Sequence, residues 1–161
     1  MHQLAEVKER RASFIEEKNL AALSAPVRST GVLVYRRPSH LEKITIQPEP
    51  ESLIADGERL TITEGNEPPR VLDLHSQPEI RALVDTVRAL LSGDLALLQQ
   101  YYQLGFSGGY NGWALTLSPV NAAVARFVGS ITVEGIRTDI LMITTVGPNG
   151  DADRMAITPA P

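Results

Sequence analysis

His2, His40 and His75 are the side chains best suited to hold a transition metal, since a neutral imidazole is the commonest protein ligand for one. They lie far apart in the chain and next to no paired acidic ligands, so only the fold could bring them together, and no metal is expected. Ser107 and Ser118 are hydroxyl nucleophiles in principle, but without a paired His and acid no triad can be built around either. The glycine cluster between Gly105 and Gly112 lacks the Gly-Lys-Ser/Thr ending of a phosphate loop and lies between strand patterns rather than before a helix. A hairpin turn is the expectation there. Nothing in the spacing of the 19 acidic residues selects two as a general acid and base. The chain is therefore expected not to be an enzyme and to need no cofactor.

Composition narrows the classes further. The 161 residues suit a single domain over residues 1–161, and 43% apolar against 21% charged residues describe an ordinary folded chain. Twelve arginines and three lysines against 19 acids leave a net charge of −4, without the basic excess that nucleic acid requires. Cysteine is absent, which removes disulfides and thiolate chemistry. No stretch approaches the roughly 20 apolar residues of a membrane-spanning helix.

The elements that must position any site follow from periodicity. Leu4, Val7, Phe14 and Ile15 approximate a helical stripe among charged residues, predicting an amphipathic helix from Leu4 to about Leu20 whose charged face is plain solvation. Residues 31–35, 41–46, 52–55, 59–63 and 70–74 read as five strands, with Asp56-Gly57 marking a hairpin. The period then changes. Pro78 opens a segment in which Ile80, Leu83, Val84, Val87, Leu90 and Leu91 recur at helical spacing, Gly93 stops it, and Asp94 caps a further short helix. Region 78–104 thus reads as a helical hairpin inserted into a β pattern. Strands are expected again in Trp113 to Leu117, which alternate cleanly, and in residues 127–133, 138–146 and 154–158. Nine or ten antiparallel strands and three helices result, an α+β fold.

A strongly curved antiparallel sheet of that size either closes into a barrel or stays open with helices against its concave face, and both leave an apolar cavity. Nineteen leucines could line it, or could fill an ordinary core. The expected lining is drawn from Leu33, Tyr35, Leu83, Val87, Leu91, Trp113, Leu115 and Leu117. Leu33, Tyr35 and Arg37 share one strand face and Trp113, Leu115 and Leu117 another, while which faces point inward stays open.

Four stretches together resemble a known family: Phe14 with Glu16-Glu17-Lys18; Ser29 through Tyr35 closing on Arg36-Arg37-Pro38; Leu41-Glu42-Lys43; and Ile54-Ala55-Asp56-Gly57-Glu58-Arg59-Leu60. Their types and order are similar to those of the outer-membrane lipoprotein carriers, LolA. That family opens with a helix holding an aromatic residue, continues into a strand closed by Arg-Pro, and reaches an Asp-Gly hairpin before its helical insertion. Arg59-Leu60-Thr61-Ile62-Thr63 replaces the aromatic residues that usually follow the turn, and the family's C-terminal extension is missing after Thr158, which marks a divergent branch.

The resemblance implies a strongly curved sheet forming an incomplete, open β-barrel, with region 78–104 as a helical lid over an apolar cavity. It implies a periplasmic carrier, its signal peptide removed, that binds acyl chains of lipoproteins or of another lipid and shuttles them towards the outer membrane. A monomer is expected, working between an inner-membrane donor and an outer-membrane acceptor. Arg37, aligned with the strand-ending Arg, is implied to point inward and hydrogen-bond to the lid as a latch. A non-transporting lipid-sensing or scaffold module with the same fold is the alternative.

Overall fold

Among residues 9–20 and 25–160, which the computed structural model describes, the chain forms eleven strands and three α-helices. Strands β1 (Glu9–Asn19), β2 (Val27–Arg36), β3 (His40–Gln47), β4 (Glu51–Asp56), β5 (Arg59–Glu64) and β6 (Arg70–Asp73) come first. Helices α1 (Pro78–Ser92) and α2 (Leu95–Tyr101) interrupt them. Then follow β7 (Tyr102–Gly109), β8 (Gly112–Pro119), helix α3 (Ala122–Ala125), β9 (Ser130–Ile136), β10 (Asp139–Val146) and β11 (Ala152–Pro159).

All strands join one antiparallel sheet in the order β6-β5-β4-β3-β2-β1-β11-β10-β9-β8-β7. With β6 and β7 at opposite edges the sheet stays open, as expected for an incomplete barrel. The chain must travel from one edge to the other between β6 and β7, and it does so as α1 and α2. That crossing sets the helices against the concave face, where Ala82, Ala89, Leu90, Leu91 and Leu98 join Phe14, Tyr35, Leu115 and Val133 in one buried cluster.

The N-terminal segment departs from the prediction. Residues 4–8 of the expected helix lie outside the described residues, and Glu9–Asn19 is a strand at the centre of the sheet, paired with β2 on one side and β11 on the other. Arg10, Ala12, Phe14 and Glu16 point inward, while Glu9, Arg11, Ser13, Ile15 and Glu17 face out. This is a period of two, masked in the sequence because two of the inward residues are charged. Two flanking strands outweigh the helix preference of Glu, Lys and Arg, which amounts to at most about 0.7 kcal/mol per residue. The charged face is accordingly not plain solvation, since Glu16 is 3% exposed.

Other boundaries shift for local reasons. The helical hairpin ends at Tyr101, because Tyr102 and Leu104 already pair with Pro119 and Leu117. Its joint follows the predicted signals: Gly93 adopts a left-handed φ of 72° at the end of α1, and Asp94 accepts a hydrogen bond from the Leu97 amide at 3.1 Å. The third helix is α3 rather than an N-terminal one, started by Asn121, whose side-chain oxygen accepts from the amides of Ala123 and Val124. Gly31 is required where it stands, because a Cβ there would overlap the Ile44 carbonyl oxygen and lie 2.8 Å from the Phe14 ring. The ring of Phe14 therefore fills the space that Gly31 leaves open.

Candidate functional site

Register assembles the concave face from residues distant in sequence. Arg10 lies opposite Tyr35 and Ala12 opposite Leu33 on β2, while across the other edge of β1 Ala12 meets Pro159 and Phe14 meets Ile157. A cavity of about 180 Å³ opens here, walled by Ala12, Leu33, Tyr35, Ile140 and Ile157 of the sheet and by Leu91 of α1. Arg10, Glu9, Arg11, Thr138 and Asp139 supply its polar lining, with the Tyr35 hydroxyl in the wall.

The residues expected to line a cavity divide into three groups. Leu33, Tyr35 and Leu91 stand in its wall. Trp113, Leu115 and Leu117 are buried on the same sheet face, further towards β7, in the continuous core. Of the α1 residues, Val87 is half-buried and Leu83 is 37% exposed, because α1 turns Ala82, Thr86, Ala89 and Leu90 towards the sheet instead. The helical spacing gave the stripe but not its centre, since small and polar residues take part in the buried side.

Arg37 lies one residue beyond β2, exposed in the turn to β3. A sheet-to-helix hydrogen bond is made by Arg10 of β1, whose Nε donates to the Leu91 carbonyl at 3.1 Å. That carbonyl belongs to the last turn of α1, where no intrahelical amide is left to satisfy it. Arg10 Nη2 is shielded from solvent and has no hydrogen-bond partner among the described residues. Burial lowers the Arg10 pKa, opposed by the charge of Asp139 and by Tyr35.

Further contacts fasten the rest of the helical pair. Arg81 of α1 pairs with Glu58 in the β4–β5 turn at 2.8 Å, and Tyr101 of α2 donates to Asp85 at 3.0 Å. Burial and that carboxylate push the Tyr101 hydroxyl up to about 12. Thr86 Oγ1 lies 2.7 Å from the Ala82 carbonyl and 2.8 Å from the Tyr102 hydroxyl. A threonine hydroxyl has one proton, which goes to the carbonyl, so Tyr102 donates to Thr86.

The other end of the concave face is polar. Lys43 Nζ is 2.9 Å from Glu16 Oε1 and stands 5.5 Å from the centre of the Phe14 ring. Asp153, opposite Lys18 in the β1–β11 register, is hydrogen-bonded to Glu16. Burial first, and then the hydrogen bond and charge of Glu16, push Asp153 up to about 7. Burial opposes ionisation of Glu16 as well, but the hydrogen bond with Asp153 and the charge of Lys43 outweigh it and hold Glu16 below the usual carboxylate range. The two carboxyls thus share a proton beside a groove of about 490 Å³ that Glu16, Lys18 and Lys43 line and no helical residue does.

No grouping of metal-ligating side chains occurs among the described residues. His40 pairs with Glu42 at 2.7 Å, and His75 lies near Glu58 and Arg81 on the other side of the β4–β5 hairpin. Ser107 falls in a Gly-x-Ser-x-Gly pattern from Gly105 to Gly109, but it sits within edge strand β7 opposite Ala114, not at a strand-to-helix elbow. The glycine cluster is the predicted hairpin, with Gly109 and Gly112 paired across Tyr110 and Asn111.

Solved structures share this fold. A structure of the Pseudomonas aeruginosa MucA/MucB complex matches with a TM-score of 0.51 and 13% identity over 98% of this chain. A structure of MucB alone matches with a TM-score of 0.52 and 18% identity, also over 98%. The chain spans only 53% and 55% of those two chains. A LolA superfamily protein from Nitrosomonas europaea aligns over 98% of this chain and 89% of its own, at 8% identity and a TM-score of 0.45. A comparison with curated proteins finds no match. The family model described as outer membrane lipoprotein carrier protein LolA-like matches residues 1–160, nearly the whole length, and the chain belongs to that family.

Proposed function

We propose that the protein is a periplasmic carrier that binds acyl chains, of lipoproteins or of another lipid, beneath α1 and α2. The observation that carries this reading is the cavity between Leu33, Tyr35 and Leu91, covered by the C-terminal end of α1, a helix that the sheet holds through a few polar contacts. An acyl chain in water is opposed by about 0.8 kcal/mol per CH₂, so it crosses an aqueous space only when shielded. The described cavity is smaller than the roughly 300–1,000 Å³ of ordinary ligand pockets. It is the closed state of the carrier: loading requires the helices to lift, and their return competes with the cargo and keeps binding reversible. An inner-membrane donor and an outer-membrane acceptor complete the route, and neither step needs catalysis.

The test is lipid extraction from protein produced in a native envelope, followed by mass spectrometry, together with displacement of a fluorescent acyl probe. Co-purified lipid and saturable displacement are expected. Absence of both favours the second reading, a non-transporting scaffold or sensing module with a protein partner. That reading draws on MucB, which shares the fold and is found in a complex with MucA.

A further inference from the structure

We propose that the 180 Å³ cavity is the head-group end of a site for a single-chain amphiphile with an anionic head, a long-chain carboxylate foremost, and that Arg10 recognises that head. The inference rests on the acyl-carrier reading and adds the chemistry of the cargo's polar end.

Arg10 is a charged group of the cavity lining that is only partly used. Its Nε is committed to the Leu91 carbonyl, while Nη2 is shielded and makes no hydrogen bond among the described residues. A shielded cationic donor left unpaired is costly, and a carboxylate oxygen is the acceptor that best relieves it, supplying hydrogen bond and countercharge together. The nearby acids do not do so. Glu9 pairs with Arg11 at 2.9 Å, and Asp139 is exposed, contributing to Arg10 through charge alone.

The walls fix the rest of the ligand. Leu33, Leu91, Ile140 and Ile157 give the lining methyl groups against which methylenes fit, while Tyr35, Thr138 and the charged residues supply its hydrogen-bonding groups. The cavity measures about 180 Å³. It holds a head and its first carbons, and the remaining chain runs between α1 and the sheet once the helix gives way. An ester or an alcohol of the same length satisfies a hydrogen bond but brings no charge.

The experiment measures displacement of a fluorescent fatty acid from the full chain by palmitate, by its methyl ester and by hexadecyl phosphate, for wild type, Arg10→Met and Arg10→Lys. Wild type is expected to prefer both anions over the ester by at least about tenfold. Arg10→Met should bind acid and ester alike, and Arg10→Lys should recover part of the preference. If the phosphate competes and the carboxylate does not, carboxylate recognition is overturned. Equal binding of acid and ester by wild type overturns the head-group assignment and leaves the carrier reading standing, and this comparison decides even if Arg10→Met fails to fold. If nothing displaces the probe, the carrier reading falls as well.

Discussion

Arg10, at the start of the central strand, donates to the carbonyl of Leu91 in the last turn of α1, across 81 residues of sequence. The bond fastens the C-terminal end of the helix to the middle of the sheet, at the mouth of the cavity. A charge-assisted hydrogen bond of this kind is worth about 1.5–3 kcal/mol where water is excluded, enough to bias a helix between seated and lifted. Arg10→Met keeps the stem and removes the donors. Amide hydrogen exchange at the end of α1 should then accelerate by about tenfold or more, while the first turn, held through Arg81 and Glu58, exchanges as before. Uniform protection along α1 in the variant would show that the fastening lies elsewhere.

The shared proton of Glu16 and Asp153 makes stability depend on pH in a direction opposite to that of an ordinary salt-bridged acid. Unfolded, Asp153 ionises near its usual value of about 3.9, whereas in the folded chain it keeps its proton up to about 7. The folded state binds more protons between those limits, so the contribution is full below about pH 4 and is lost as pH rises through about 7. Glu16, held low, acts with the opposite sign and only below about pH 4. Asp153→Asn fixes the protonated shape, and its melting temperature should fall less than that of wild type between pH 5.5 and pH 8. After screening of a half-buried group, the difference should be on the order of 1–2 kcal/mol. Parallel pH slopes for the two proteins would exclude the shared proton.

How much of this was legible in the sequence depended on whether one residue's pattern sufficed or two distant segments were needed. The hairpin at Gly57 and the limits of α1 were read correctly because Asp-Gly, Pro78 and Gly93 carry their backbone preferences with them. Trp113, Leu115 and Leu117 were found on one face because strict alternation needs no partner to be recognised. β1 was misread because Arg10 and Glu16 occupy inward positions that only their partners, Leu91 on α1 and Lys43 on β3, make tolerable. A buried charge gives no local signal until its partner is placed. The Arg-Pro ending of β2 draws attention to Arg37, whereas nothing local marks Arg10 as an arginine that reaches the helix from β1. Leu83 is partly exposed, and a helical stripe shows periodicity and not which edge of the stripe is the more buried.

Ala12 offers a separation of cavity from fold. It lines the cavity on β1 between Leu33 of β2 and Pro159 of β11, and its short side chain is one reason that space stays open. Ala12→Met extends a flexible apolar chain into existing volume, so the stability change should stay within about 1 kcal/mol of zero, packing gain offsetting any crowding. Displacement of a fluorescent acyl probe should nonetheless weaken by about tenfold or more, because each buried methylene of the ligand that loses its place forfeits about 0.8 kcal/mol. Leu83→Asp is the matched control: it adds a charge to α1, but at an exposed position on the helix, and should bind like wild type. The reverse ranking, with Leu83→Asp weakened and Ala12→Met unchanged, would move the acyl chain out of the cavity under Leu91 and onto the outer side of the helical pair.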